Sequence, residues 1–351
     1  MLDERKLKVL YAIINGYINS AEPVGSRTIS KQYDLGVSSA TIRNEMSDLE
    51  ELGYLSKPHS SAGRVPSDKA YRLYVDGLLK HDKSQIDEGI NNQIRDILLR
   101  EQWEIEELIQ NSAKVLSAIT SYTALVASPK MKASRVKHIQ LVPIDDIRVL
   151  MVMVCDTGIV KNSIYKPESP VSSEQLNVIS NFLDYKLKGL SIDEILSELD
   201  NDIFHELYEM RDILESLIPT ISSSIEDLVS IDLYFDGITK ILNFPEYKDI
   251  DKAKEFISFV ENKNLMLDIL SKTSSSDDID IIIGSENIYA PIKDISLITA
   301  TYKIRGKTIG KVGLIGPTRM DYLNLIRTIK IFSTNITELL NLLARDNEYS
   351  K

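Results

Sequence analysis

Arg43 and Asn44 stand side by side in the stretch Val37–Gly53, VSSATIRNEMSDLEELG. An arginine can bind guanine O6 and N7 through two parallel hydrogen bonds, and an asparagine can do the same with adenine N6 and N7. This is the chemistry of reading a base edge, not of breaking a bond. Helical geometry decides whether the two side chains can act together. Ile42, Met46 and Leu49 share one helix face and must point into a core. At about 100° per residue, the opposite face carries Ala40, Arg43, Asn44 and Ser47, with Thr41 at its flank. The Ala40 methyl suits contact with a thymine methyl. Ser39 and Thr41 lie near the helix N-terminus, where free N–H groups favour a phosphate.

The elements that must position this face can be read on either side of it. Asp3 can cap a first helix over about 4–19, with Leu7, Leu10, Tyr11, Ile14, Tyr17 and Ile18 on one side, and Pro23 stops it. A second helix is expected over about 26–34, followed by a turn at Asp34–Gly36 where glycine supplies the permissive backbone. Ser38 or Ser39 can cap the third helix. Tyr54–Lys57 and Arg64–Pro66 then read as two short strands around the polar turn PHSSAG. The expected unit is a winged helix-turn-helix, whose third helix can enter the DNA major groove. The hairpin would reach the backbone or minor groove through Lys57, His59, Ser60, Ser61 and Arg64.

The charge of the whole chain argues the other way. Its net charge is −11 over 351 residues. Residues 1–80, however, hold 11 Lys/Arg against 10 Asp/Glu, a balance of +1, whereas the remainder holds 30 against 42, a balance of −12. The local field, not the total, acts on a phosphate. The head is therefore nearly neutral, and placement of a few cations has to carry the attraction. The longest wholly apolar run, Val149–Cys155, is far too short to span a bilayer. The opening MLDERKLK has no apolar stretch of the secretory kind, and the single cysteine, Cys155, fits a reducing cytoplasm rather than a disulfide framework.

The remaining residues suggest two or three domains in all. Ser67 can cap a helix to about Leu79, and His81–Ser84 is the expected boundary. One long helical stretch is expected over about 85–120, with a stripe from Ile90 to Leu116. Val136–Pro143, Ile147–Cys155 and Val160–Lys166 read as a β-meander. Residues 172–271 are mostly helical by period. Within them Ile203, Leu207, Met210, Leu214, Leu217 and Ile221 form a coiled-coil-like seam, broken by Pro219, that suits either a core or a subunit interface. Leu233–Leu242 reads as a strand turning into a helix. Asp280–Ile283, Ser296–Ile304 and Thr308–Ile315 read as strands, with a hairpin turn at Arg305–Lys307, and a final helix covers about 319–344.

No enzyme chemistry is legible. The histidines, His59, His81, His138 and His205, are scattered, so neither a structural metal nor a cofactor is expected. There is no phosphate-binding GxxxxGK[ST] and no nucleophile–base constellation. Arg319 and Asp321 read as a salt bridge and a helix cap.

The segment from Val24 to Val75, with SSATIRNEM, DLE, GYL, PH and SAGR in order, resembles the N-terminal region of the HrcA-type heat-inducible transcription repressors. HIQLVP at 138–143 and GPTRMDY at 316–322 extend the resemblance over essentially the whole chain. It implies an α+β multidomain protein: a winged-helix head, a GAF-like domain and a dimerising segment inserted in it. The expected division is 1–80 for the head, 84–170 with 272–345 for the GAF-like domain, and 171–271 for the insert. It further implies a cytoplasmic homodimer that binds double-stranded DNA at an inverted-repeat operator before chaperone operons, and that depends on a GroEL-type chaperonin. A small ligand in the GAF-like domain is an alternative trigger. A head that docks protein rather than DNA is the alternative use.

Overall fold

The computed structural model describes residues 2–59, 62–81, 88–99, 104–127, 134–199, 211–229, 231–272, 279–286 and 293–349. Within them the chain is a mixed α+β protein.

The head begins with α1 (Glu4–Ser20), capped by Asp3, whose carboxylate accepts the Lys6 N–H at 2.8 Å. α2 (Ser26–Gln32) is shorter than expected because Tyr33 is already extended. α3 (Ser39–Glu51) follows, then the pair β1 (Leu55–Ser56) and β2 (Val65–Pro66). α4 (Asp68–His81) leads out of the head. Leu10, Ile13, Ile14, Ile29, Ile42, Met46 and Leu49 close its core. That core is continuous with one in the body, where Tyr71 of α4 meets Tyr322 at 5.8 Å between ring centroids.

The single helix expected over 85–120 is two: α5 (Glu88–Leu99) and α6 (Ile105–Thr120). A capping box between Glu104 and Glu107 starts the second, a signal that the continuous apolar stripe masks. The body is built on a five-stranded antiparallel sheet. It contains β3 (Thr123–Ala127), β7 (Leu233–Asp236), β8 (Ile279–Ile283), β9 (Ile295–Ile304) and β10 (Lys307–Pro317), in the order β7-β3-β10-β9-β8. The β9–β10 turn uses Arg305 and Gly306, both at positive φ. One face packs on α5, α6 and the closing helix α12 (Tyr322–Tyr349) through Leu108, Leu116, Ile329 and Phe332. The other packs on α10 (Ile250–Glu261) and α11 (Lys263–Lys272) through Phe256, Val260, Met266 and Ile269.

The meander β4 (Val136–Asp145), β5 (Arg148–Cys155) and β6 (Val160–Tyr165) forms a separate three-stranded sheet. Its inner face shares a core with α7 (Ser173–Leu187), α8 (Ile192–Leu199) and α9 (Arg211–Val229). This grouping departs from the expected division at 171. The meander leaves the large sheet together with the helices that follow it, while residues 231–272 return to that sheet. Helical period shows that a face is buried but not which sheet buries it, so α7–α9 and α10–α11 read alike in the sequence. In the HIQLVP motif, His138 Nδ1 lies 2.8 Å from Asp184 of α7, and the Ile139 and Leu141 N–H groups donate to Asp184 and Ser180. That motif holds the small sheet on its helix. Cys155 is buried in the same core, and burial lifts its thiol to about 11, so it is held as the inert thiol.

Leu214, Leu217 and Ile221 of the expected seam are wholly buried within the chain. Ile203, Leu207 and Met210 lie outside the described residues, as do residues 82–84 of the expected boundary. The outer face of the small sheet is different. Leu150 faces Val142 on one side and Ile164 on the other, and Val154 faces Val160. Val142, Ile144, Ile147, Val160 and Ile164 are exposed, Ile147 to 65%. Among the described residues no helix is long and apolar enough to cross a membrane.

Candidate nucleic-acid interface

Ser38, not Ser39, caps α3. Its Oγ accepts the Thr41 N–H at 3.2 Å and lies 3.0 Å from the Thr41 hydroxyl. The cap fixes where the helix begins, and so which residues its first turns present. Ile42, Met46 and Leu49 are locked in the head core. Ala40, Arg43, Asn44 and Ser47 consequently emerge together as exposed residues on the opposite side, with Ser39 and Thr41 half-buried at the N-terminal edge. These four residues therefore share one exposed side of α3.

The hairpin is assembled less as expected. Lys57 and His59 are exposed, and the Ala62 N–H donates to the His59 carbonyl at 3.0 Å. Ser60 and Ser61 lie outside the described residues. Arg64 is not a free cation: its guanidinium pairs with Glu50 of α3 at 2.6 Å and is only 19% exposed. Its backbone exchanges two hydrogen bonds of 2.9 Å with Val24, which seats the hairpin on the segment between α1 and α2. Arg64 therefore ties the hairpin to α3. In sequence it looked like any wing cation, because its carboxylate partner lies 14 positions away on another element.

One charged group escaped the sequence reading. Lys6 of α1 reaches Glu45 at 3.0 Å and Asp48 at 3.1 Å on α3, and Arg5 reaches Glu45 at 3.7 Å. Glu45 first, with Asp48 beside it, holds the Lys6 ammonium well above its usual range. Two carboxylates of α3 are thereby neutralised from behind, and Arg43 projects from the same helix without their full opposing field. Their i, i+3 spacing marks a shared face, yet only the fold brings α1 against it.

The family model and the sequence relatives agree on one family. Residues 106–326 match the family model described as the HrcA protein C terminal domain. The chain is 47% identical over 339 residues to the heat-inducible transcription repressor HrcA of Alkaliphilus metalliredigens (strain QYMF), covering 97% of this chain and 98% of that protein. It is 44% identical over 345 residues to the same-named protein of Thermoanaerobacter sp. (strain X514), covering 98% and 99%. A solved structure described as a hypothetical protein at 2.2 Å resolution superposes with a TM-score of 0.69 at 22% identity, over 98% of this chain and all of that one, and so shares the fold. Identity of this extent, spanning both the head and the body, means that the chain belongs to the HrcA family of heat-inducible transcription repressors.

Proposed function

We propose that this chain represses heat-inducible chaperone operons by binding an inverted-repeat operator as a cytoplasmic homodimer, with each head acting as a winged helix-turn-helix and the body as a GAF-like domain. The observation that carries the reading is the common exposure of Ala40, Arg43, Asn44 and Ser47 on a helix whose other side is fixed in the core. Arg43 and Asn44 are assigned to base edges, Ser39 and Thr41 to phosphate at the helix start, and Lys57, His59, Ser60 and Ser61 to the duplex beside it. Arg64 is assigned to holding the wing. Arg43→Ala should cost about 1–3 kcal/mol on the specific duplex and relax selection at one base pair, as measured by gel-shift titration. Equal loss on specific and random duplex would remove Arg43 from base reading. Affinity should also fall steeply with salt, which a head that docks protein would not show.

The second copy is assigned to the outer face of the β4–β6 sheet. A contiguous apolar face of this kind is characteristic of an interface rather than of scattered surface residues.

Connectivity supports the dependence on a chaperonin of the GroEL type that belongs to this reading. β3 must wait for β7 and β10, which lie more than a hundred residues downstream, before either of its edges is paired. Such non-local pairing is slow and leaves apolar surface open on the way. Dilution from denaturant should therefore yield several-fold more operator-binding protein with a chaperonin and ATP than without, an order-of-magnitude expectation for a slow, aggregation-prone folder. An unchanged yield would sink this part of the proposal.

A further inference from the structure

The motif GPTRMDY at 316–322 joins β10 to α12 and lies against the head. Arg319 is 8% exposed. Its Nη1 donates to the Ile18 carbonyl in the last turn of α1 at 3.0 Å, and its Nε and Nη2 engage the two oxygens of the Glu246 carboxylate, the Nη2 contact at 3.0 Å. Its face lies 5.6 Å from the Phe244 ring centroid. The expected partner, Asp321, instead caps α12 by accepting the Asn324 N–H at 3.3 Å. A last-turn carbonyl has no partner within its own helix, so a buried cation there binds the end of α1 firmly.

A second attachment lies on α4. Asp68 accepts from both the N–H and the hydroxyl of Ser285, at 2.9 and 2.6 Å. One turn along, Arg72 engages both carboxylate oxygens of Glu286, one at 2.7 Å, and donates to the Ile281 carbonyl at 2.6 Å. The turn that presents Ser285 and Glu286 begins at Gly284, with φ of +49°, where a Cβ would lie 2.6 Å from the Asp68 carboxylate. Only glycine meets both demands. Between the two attachments Tyr71 packs on Tyr322, both almost wholly buried. A single contact would leave the head free to swivel about it. Two charged attachments flanking an aromatic one remove that freedom.

We propose that this joint determines the half-site spacing the protein selects, by fixing the direction in which each head projects from the body. The proposal rests on the dimeric reading above. Arg72, Asp68 and Arg319 are positioning residues that touch no DNA. A swivelling head could reach half-sites over a range of separations, with little preference among them. A fixed head places the two recognition helices one set distance and one set rotation apart, so binding has a sharp optimum that recurs with the helical repeat.

The test uses the full chain and duplexes whose half-sites are moved apart one base pair at a time over a helical turn. The unaltered protein should bind the best spacing about tenfold or more above spacings half a turn away, because simultaneous engagement is lost when geometry forbids it. Arg72→Glu should bring that ratio close to unity and leave binding to a duplex with a single half-site unchanged. Adding Glu286→Arg to Arg72→Glu should restore the preference. Glu286→Gln, a milder change, should flatten the profile in the same direction even if the charge reversal does not fold. A spacing profile for Arg72→Glu or Glu286→Gln that matches the unaltered protein would overturn the joint's role. An unaltered protein that binds as a monomer by light scattering, with no spacing preference, would overturn the dimeric reading and this proposal with it.

Discussion

Leu150→Asp should convert the protein to a monomer and lower its affinity for a two-half-site duplex by about 10²–10⁴-fold, the range over which paired sites exceed single ones. Leu150 lies mid-strand in β5, opposite Val142 and Ile164 on the outer face of the small sheet. In the single chain that face looks to solvent, so a carboxylate there is hydrated and the fold tolerates it. Across a two-fold interface each copy would bury a charge with no partner, which costs several kcal/mol per ion. The residues of the inner face, Val149, Met151 and Met153, are untouched. Sedimentation should show half the mass with an unchanged circular dichroism spectrum, and single-half-site binding should be preserved. A dimer that survives the substitution would move the interface elsewhere.

Gly63→Ala is the second large expectation, and it concerns space rather than conformation. A Cβ at Gly63 would lie 2.5 Å from both the carbonyl carbon and oxygen of Val24 and 2.7 Å from the Pro23 carbonyl carbon. These are backbone atoms and cannot rotate aside. The hairpin would have to lift, breaking the paired Val24–Arg64 hydrogen bonds and pulling Arg64 from Glu50. The cost belongs at the upper end of over-packing, about 3 kcal/mol. Amide exchange at Val24 and Arg64 should lose its protection, and operator binding should weaken even though α3 is unaltered. Protection equal to that of the unaltered protein would show that the hairpin does not depend on this close approach.

The head was legible because its signals are local. A cap at Asp3, a stop at Pro23, a turn at Gly36 and a face of period 3.6 all act within a few residues of one another. The body was legible strand by strand but not in its assembly. Thr123–Ala127 is buried along its whole length, so it shows no alternation and was missed. Without it nothing links β7 to β10 in the large sheet, and the meander is grouped with the strands that follow. The common exposure of Ala40, Arg43, Asn44 and Ser47 was legible for the same reason as the head. Arg64 did not: a wing arginine and an arginine paired with Glu50 have the same sequence, and only the packing of the hairpin against α3 tells them apart.

The pairing of β3 with β7 has a further consequence. Ala127, where β3 ends, stands opposite Leu233, where β7 begins. Residues 134–229 therefore depart from the large sheet and rejoin it at adjacent points on neighbouring strands, which lie only about 5 Å apart. That is the plan of a cassette. Among the described residues the five strands pair with one another and not with the unit they carry, so a different unit whose ends lie close together could be spliced between Ala127 and Leu233 without disturbing β3, β10 or the helices beneath them. The small sheet and its helices would then be an exchangeable part of the chain, attached to the large sheet where β3 and β7 meet.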